Sequence, residues 1–526
     1  MKKFKAILAL LLVAVMVCAL FAACAKNGGT SSGSDSTSTP GSADSTGSTD
    51  NTKKTTYAPE DVVNIVVAYL DVAGNEDSEW DRVVEYMNTI TEPTIGAHVS
   101  VIHGKMGDYG TNIPLMIAGN EQLDVVNISP LGGTKLANLL ANNSLMDCKS
   151  LLETWAPGAL AVCADYLDTY TRGDALYGLP TNRAHTSNEY LILRKDILEA
   201  TGTLELAQNM SAWSEIEELF AKVNDYCREN NMYVIGGQKS CIDVNAVWFD
   251  DKFDDMHYIN NLGDSSKVLM SDADGKVLNK FEHESIIDMM KRAVTWTDKG
   301  YVYPDTILGD DHADNLFKQG VIFSYWNHTE VGVEAARKLS SGYDVVAPMV
   351  GKADMVTTNF VTFGVAIPVC SQEPEAAARF IELLYTDPRI VTCFAWGVQD
   401  EDFAINDEGE AYKLEGTAFQ GQDYMIGNQF LVAPWQGSGG NLRQVAEATN
   451  KAAKKSAYLG FIMDTNGLET TIAGVTAVSS EFNPEMLSGQ YTQARYDEYM
   501  NKLYAAGLQE YIDAVQSQLD AWLAAK

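Results

Sequence analysis

The sequence predicts an α/β protein built on doubly wound sheets, and three observations carry that prediction. An almost unbroken apolar run from Val62 to Leu70 suits a parallel strand covered on both faces. A stretch of helical periodicity follows it, and the strand-helix alternation then continues through a third strand. Sheets of this kind bind ligands in the crevice beyond the carboxyl ends of their strands.

Taken in order, Ser78-Glu79-Trp80-Asp81 offers a capping box for a first helix whose apolar face is Trp80, Val83, Val84, Met87 and Ile90. His98 to His103 alternates as a second strand, Asp108 to Ala118 reads as a short helix, and Leu123 to Ile128 as a third strand. The strand ends fall at Tyr69-Leu70-Asp71 and Asn127-Ile128-Ser129. Later, Ala376 to Tyr385 is apolar at 377, 380, 381 and 384, with Ser371 in the cap region and Pro388 ending the helix. The carboxyl terminus is helical: Tyr496, Met500 and Leu503 line one face, Gly507 breaks the run, and Leu508, Tyr511, Val515, Leu519 and Trp522 line the next. Asp272-Ala273-Asp274-Gly275 and Asn406-Asp407-Glu408-Gly409 read as hairpin turns. An EF-hand alignment of the first would put Met270 and Phe281 where carboxylates are required, so calcium is refused there.

At the amino terminus, Lys2, Lys3 and Lys5 precede an apolar run from Ala6 to Leu20 that is too short for a spanning helix, so residues 1–23 read as a secretory signal. Leu20-Phe21-Ala22-Ala23-Cys24 resembles the lipobox of bacterial lipoproteins, with Phe21 where an aliphatic residue is usual. That resemblance implies lipidation of Cys24 and a membrane reached through the lipid anchor only. Residues 24–56 then form a flexible Ser, Gly and Thr tether. A G-x-S-x-G match at Gly29 to Gly33 lacks the strand and helix a nucleophile elbow needs. Anchor and tether place the folded body on the extracellular face, and Ala25 with the Ser-rich tether favours a Gram-positive exterior.

The chain has 526 residues, 46% of them hydrophobic, which allows several cores. Its 38 basic against 71 acidic side chains give a net charge of −33, and a surface so acidic repels a phosphate backbone, so nucleic acid is excluded as a partner. Cys148, Cys163, Cys227, Cys241, Cys370 and Cys393 contain no C-x-x-C pair, which removes structural zinc and thioredoxin-like chemistry and leaves buried thiols and disulfides both open. No metal and no cofactor is predicted. His283-Glu284 begins an H-E-x-x-H pattern, but Ile287 stands where the second histidine is needed. Asp310, Asp311, His312 and Asp314 precede an amphipathic stretch through Leu316 and Phe317, where acids suit the positive end of a helix. No dinucleotide or Walker pattern occurs.

A series of motifs stands out in order along the chain. Gly107-Asp108-Tyr109 leads to Ala118-Gly119-Asn120-Glu121-Gln122-Leu123-Asp124, and Asp174-Ala175-Leu176-Tyr177-Gly178-Leu179-Pro180 leads to Arg194-Lys195-Asp196. Lys299-Gly300-Tyr301, Phe317-Lys318-Gln319-Gly320 and Phe363-Gly364-Val365-Ala366-Ile367-Pro368 follow. Then come Leu384-Tyr385-Thr386-Asp387-Pro388, Ile426-Gly427-Asn428-Gln429-Phe430-Leu431 and Lys502-Leu503-Tyr504-Ala505-Ala506-Gly507. Their shared order resembles the extracellular solute-binding proteins of sugar-type ABC importers, in their larger lipoprotein branch, and this resemblance implies a two-lobed clamp of the periplasmic-binding-protein-like type II fold, with discontinuous lobes, each on a doubly wound sheet, and a helical carboxyl terminus. The lobes are expected at 57–181 with about 322–362, and at 182–321 with about 363–526. It further implies a monomer that is not an enzyme, holds an oligosaccharide in its cleft and delivers it to ABC permease subunits.

A sugar cleft needs flat aromatics to stack on and planar polar groups to pair with hydroxyls. Residues near strand ends and crossings supply candidates: Tyr69 and Asp71 after the first strand, Asn182 and Arg183 after Leu179-Pro180, and Trp326 and Asn327, with His328, ending a strand from Val321 to Tyr325. Trp248, Trp396 and Trp435 are the second-lobe candidates. A surface-anchored carbohydrate-active enzyme is the alternative, because 71 acids leave a carboxylate pair possible. A structural adhesin, with no small-molecule cleft, is a third reading.

Overall fold

The computed structural model describes residues 56–526 apart from 243, 245, 249, 250, 254, 255, 273 and 310. The signal, Cys24, the tether through residue 55, Ala273 and Asp310 lie outside the described residues.

The chain opens with β1 (Val63–Leu70), α1 (Asp77–Ile95), β2 (Ala97–Gly104), α2 (Tyr109–Ala118) and β3 (Val125–Ile128), the unit the apolar pattern predicts. β4 (Leu179–Pro180) precedes a first crossing, and β5 (Asn188–Arg194), α3 (Trp213–Glu229), β6 (Tyr233–Ile235), β7 (Ile322–Thr329), β8 (Val345–Val346) and β9 (Met349–Gly351) follow it. The short helix α4 (Thr357–Val361) leads to β10 (Gly364–Ala366), α5 (Pro374–Thr386) and α6 (Pro388–Ala395). α7 (Leu442–Ala452) lies at a third crossing, and α8 (Glu469–Leu487), α9 (Gln493–Ala505) and α10 (Leu508–Ala525) end the chain.

The first sheet has the order β2-β1-β3-β10-β4, with β1 parallel to β2 and β3, and β10 antiparallel to β3 and β4. Successive strands leave β1 on opposite sides, so a crevice opens at the carboxyl ends of β1 and β3. Asn127 closes its floor: its amide donates to the Gly364 and Met425 carbonyls at 3.1 and 2.8 Å. The second sheet has the order β8-β5-β7-β6 with β9 also on β5, and β6/β7 is its parallel pair. Both sheets are therefore mixed, because strands that return from a crossing enter antiparallel to their neighbours.

Two apolar cores define the lobes. One joins β1, β3 and α1 to Val365, α5, Phe394 and Met425; the other joins β5, α3 and Phe323 to Tyr458 and the carboxyl-terminal helices. The expected division is corrected here. Residues 322–351 stay with 188–321, because β7 hydrogen-bonds to β5 and β6. Residues 364–426 return to the first lobe, because β10 pairs with β3 and β4, and the chain rejoins the second lobe by Tyr458, as expected. Gly178, in the motif before the first crossing, allows this pairing: it holds φ +143, and a Cβ there would lie 2.3 Å from the Val365 carbonyl oxygen.

Three local expectations also change. No capping box starts α1; its N-cap is Glu76 and makes no side-chain cap, while Ser78 lies inside the helix. Pro388 does not merely end α5 but starts α6, where the Asp387 carboxylate accepts from the Arg389 amide at 2.9 Å. β7 does not stop at Tyr325, but runs through Trp326, Asn327 and His328.

Asp124, the last residue of the Ala-Gly motif, is fully buried and ties the first sheet to α5. It accepts from the Val66 amide at 2.9 Å, the Gln122 amide group at 2.9 Å, the Ser371 hydroxyl at 2.7 Å and the Gln372 and Glu373 amides at 2.9 Å each. Its charge sits at the positive end of α5, and its loss would strand buried donors. Asp124→Ala should therefore lower unfolding stability by about 3 kcal/mol or more in urea titrations, with Asp124→Asn recovering part of the loss.

Candidate functional site

Where the chain passes between lobes it leaves both sheets, and its backbone groups need partners from side chains. Residues 427–429 lie along the first crossing. The Asn182 amide donates to the Gly427 carbonyl at 2.9 Å, its side chain donates to the Asn428 oxygen at 3.0 Å, and the Gln429 side-chain oxygen accepts from the Ala184 amide at 2.9 Å. Asn450 of α7, from the third crossing, accepts from the His185 amide at 2.9 Å and donates to the Arg183 carbonyl at 2.6 Å. The second crossing joins them through Phe360 of α4, whose ring centre lies 4.1 Å from the His185 imidazole and 4.5 Å from Tyr166. Met355 and Leu459 complete this small apolar core. Burial, with Arg183 close by, holds the His185 imidazole well below the usual histidine range.

Beside this junction lies a charged cluster. Arg443, at the start of α7, donates to the Asp423 carboxylate and, through Nε, to the Val432 carbonyl at 3.1 Å. Gln429 donates to the other Asp423 oxygen at 3.2 Å. Arg183 donates to the Asn359 carbonyl at 3.3 Å, and its guanidinium lies 5.9 Å from the Phe363 ring, which meets Tyr424 edge-on at 5.7 Å. Glu330, just past β7, brings the second lobe to the same place. Burial and Asp423 push its carboxyl up to about 7, against the opposing pull of Arg183 and Arg443. The packing there is tight: Gly332 has φ +84, and a Cβ on it would lie 2.6 Å from the Leu442 side chain.

On the other side of α4 is a cavity of about 480 Å³ between the lobes. Ser129, Pro130 and Leu136, beyond the carboxyl end of β3, form one wall. Leu262, Phe461 and Ile472 form the opposite wall, and Val361 of α4 stands between them. The topological switch point of the first sheet thus opens into it.

The structure separates the predicted site residues. Arg183 belongs to the cluster and Asn182 to the adjoining crossing. Tyr69 is buried between Trp80 and Phe394, with ring centres 5.3 and 5.0 Å away, and so presents no face for stacking. Asp71 is spent on its own loop, accepting from the Ala73, Gly74 and Asn75 amides and the Trp80 indole, the last at 3.0 Å. This carboxylate organises the turn before α1. Trp326 packs on Trp213 at 5.4 Å and donates to the Cys241 carbonyl at 3.0 Å, inside the second lobe. Asn327 is half-buried on the other face of β7, and its side-chain oxygen is buried without a hydrogen-bond partner. Trp396 donates to the Ala433 carbonyl at 3.2 Å beside Phe403, and Trp435 bridges to Ala411, so both belong to the first lobe rather than the second. Trp248 is placed by its backbone alone, at the end of the strand Ala246–Trp248.

Glu330, Phe363, Asp423, Tyr424 and Arg443 were not anticipated. Phe363 opens one quoted motif and Asp423-Tyr424 ends one residue before another, so the motifs held the available signal. All six body cysteines are free and buried, with burial raising their thiols. Among the described residues no group of three His, Cys, Asp or Glu side chains could hold a metal. The Asp272 carboxylate accepts from the Asp274 and Lys276 amides, as a turn residue does. Asp314 pairs with Arg337 at 3.0 Å.

Comparison with known proteins places this geometry. The family of bacterial extracellular solute-binding proteins matches residues 85–396, and a domain of unknown function matches 457–524. A carbohydrate ABC transporter substrate-binding protein of Streptococcus pneumoniae is 20% identical over 477 residues, 86% of this chain and 89% of that relative. Among solved structures, the N-glycan transport solute-binding protein NgtS of Streptococcus pneumoniae superposes with a TM-score of 0.72 at 16% identity, covering 88% of this chain and 99% of that one. The same protein in complex with Man5GlcNAc gives 0.60 at the same identity and coverage. An extracellular solute-binding protein from Bifidobacterium longum subsp. infantis gives 0.58 at 14% identity, covering 88% and 99%. These neighbours share the two-lobed fold, and the family match spans more than half of the sequence: the chain belongs to the bacterial extracellular solute-binding proteins.

Proposed function

We propose that the protein captures an oligosaccharide between its lobes outside the cell and hands it, unaltered, to the permease of an ABC importer. The observation that carries this reading is the meeting of both lobes and all three crossings at one place, with a cavity on one side of α4 and a charged, aromatic cluster on the other. A saccharide offers hydroxyls around an apolar ring face, and Arg183, Asn327 and Tyr424 are of the kinds that pair with the first and stack on the second. The relatives support the same class of cargo, being a carbohydrate transporter component and a protein solved with a glycan. The protein works as a monomer, held on the extracellular face by a lipid on Cys24, and closes about its crossings. Among the described residues no helix is long and apolar enough to cross a membrane.

Cargo that binds only the folded form stabilises it by about 2.7 kcal/mol at one hundred times its dissociation constant. A thermal-shift screen over oligosaccharides should find such a ligand, and mass spectrometry should recover it intact; released sugar would instead favour a carbohydrate-active enzyme. Tyr424→Ala should weaken the binding about tenfold, measured by calorimetry, the equivalent of about 1.4 kcal/mol.

Glu330 makes the unliganded protein sensitive to pH. Its carboxyl titrates near 7 in the folded state, against about 4.5 when exposed, so between these values the folded form binds more protons than the unfolded one. The favourable term is complete below about pH 4.5 and is lost as pH rises through 7. With Asp423, Arg183 and Arg443 facing it, the difference is on the order of 3 kcal/mol. Chemical denaturation should show wild type losing more stability than Glu330→Gln between pH 5 and pH 8. Equal slopes would remove Glu330 from the cause.

A further inference from the structure

The walls of the cavity beside α4 are mostly carbon, and several of its polar side chains are committed to other partners. The Ser129 hydroxyl is paired with Thr134 at 2.6 Å. The Thr357 hydroxyl donates to the Tyr458 carbonyl at 3.2 Å and accepts from the Gly460 amide at 3.0 Å. The Thr362 hydroxyl is bonded to the Thr358 carbonyl at 2.5 Å, while the Asn260 side chain donates to Ser456 at 2.9 Å and accepts from the Leu262 amide at 2.9 Å. Pro130, Leu136, Val361, Phe461 and Ile472 supply carbon to the interior, and half-buried Asn138, Thr358 and Thr465 add a few polar groups. Exposed Lys135, Ser265 and Glu469 stand among the lining residues as a polar rim.

A sugar ring placed there would exchange the water around its hydroxyls for hydrocarbon, at a cost of a few kcal/mol for each unpaired hydroxyl. An apolar group would lose nothing of that kind, and an apolar cavity of about 150 Å³ already holds benzene. The cavity, at about 480 Å³, is larger. It also shares α4 with the proposed cargo site. α4 supplies Val361 to the cavity, its Asn359 carbonyl receives Arg183, and Phe363 follows two residues later against Tyr424.

We propose that this cavity is a subsite for an apolar aglycone, so that the cargo is a glycoside whose non-sugar end enters between Leu136 and Ile472 while its sugar end meets Arg183 and Tyr424. The proposal rests on the saccharide-binding reading given above and adds to it the chemistry of the cargo's other end.

The test compares methyl, n-butyl and 4-nitrophenyl glycosides of cellobiose, mannobiose, lactose and N,N′-diacetylchitobiose by calorimetry, with free 2-naphthol as a probe that carries no sugar. The apolar glycosides should bind at least tenfold tighter than their methyl partners, the 4-nitrophenyl series reporting a flat subsite and the butyl series a flexible one. Ala473→Trp and Ala137→Trp, which fill the cavity from opposite lobes, should each bring that ratio close to one, with the melting temperature showing that the variant is folded. Ala473 is solvent-exposed on α8 and Ala137 half-buried, so neither change overpacks a sealed core. Methyl and apolar glycosides binding equally would overturn the subsite and leave the saccharide reading standing. Binding of 2-naphthol that both variants abolish, with no saccharide bound, would support the apolar subsite and overturn the saccharide reading. An aryl advantage unchanged in both variants would place the apolar group elsewhere and overturn the proposal.

Discussion

A chain that passes three times between two sheets must satisfy its backbone polar groups where neither sheet can reach, and this requirement organises the centre of the protein. Amide side chains meet it. Asn182, Asn428, Gln429 and Asn450 each hydrogen-bond to another crossing or to its flanking loop, and Asn450 reaches both the amide of His185 and the carbonyl of Arg183. An amide side chain suits the place because it donates and accepts at once without adding charge to a buried site. The three crossings are consequently bonded to one another rather than strung separately between the lobes. The small core of Tyr166, Met355, Phe360 and Leu459 gives the junction its own apolar anchor.

The charges beside the junction follow from the same arrangement. Two arginines and two carboxylates lie together in a protein of net charge −33, and three of the four come from the crossing regions or the loop beside them. Asp423 is held in place by Arg443 and Gln429. Glu330 enters from the other lobe with no such partner among the hydrogen bonds of its neighbours, and its carboxyl rises accordingly. One acid is thus committed to holding α7, while the other responds to its surroundings.

How much could be read in advance depended on whether the information was local. The run Val62 to Leu70, the alternation from His98 and the stripe through Tyr511, Val515 and Leu519 depend on near neighbours, and each element lies where its periodicity predicts. The lobe of β7 was misread because an apolar strand carries no mark of the sheet it will join; its pairing with β5 spans more than a hundred residues. The same limit misplaced Trp396 and Trp435, which follow β10 into the first lobe. Asp71 had the right chemistry in a plausible position, but its lone pairs went to the Ala73, Gly74 and Asn75 amides of its own turn. Trp326 and Trp396 are claimed by packing, whereas the aromatic pair at the junction, Phe363 and Tyr424, carries no feature that separates it from core residues until the fold brings it together.

The carboxyl-terminal helices are bound into the site rather than appended to it. Asp264 is buried in the loop that forms one cavity wall and accepts from the Ser266, Val268 and Leu269 amides at 2.8 Å each. The Tyr511 hydroxyl of α10 donates to the same carboxylate at 2.9 Å, fixing the loop from the terminal helix. From α8, Ser479 donates to the Ser266 carbonyl at 3.0 Å, while Ile472 of the same helix faces the cavity directly. A buried carboxylate with this many donors tolerates few alternative geometries, since every displaced donor would be left without a partner in a dry interior. The matched domain of unknown function at 457–524 therefore supplies one wall of the cavity and holds the loop that forms another part of the same wall. Its sequence thereby shapes the space between the lobes.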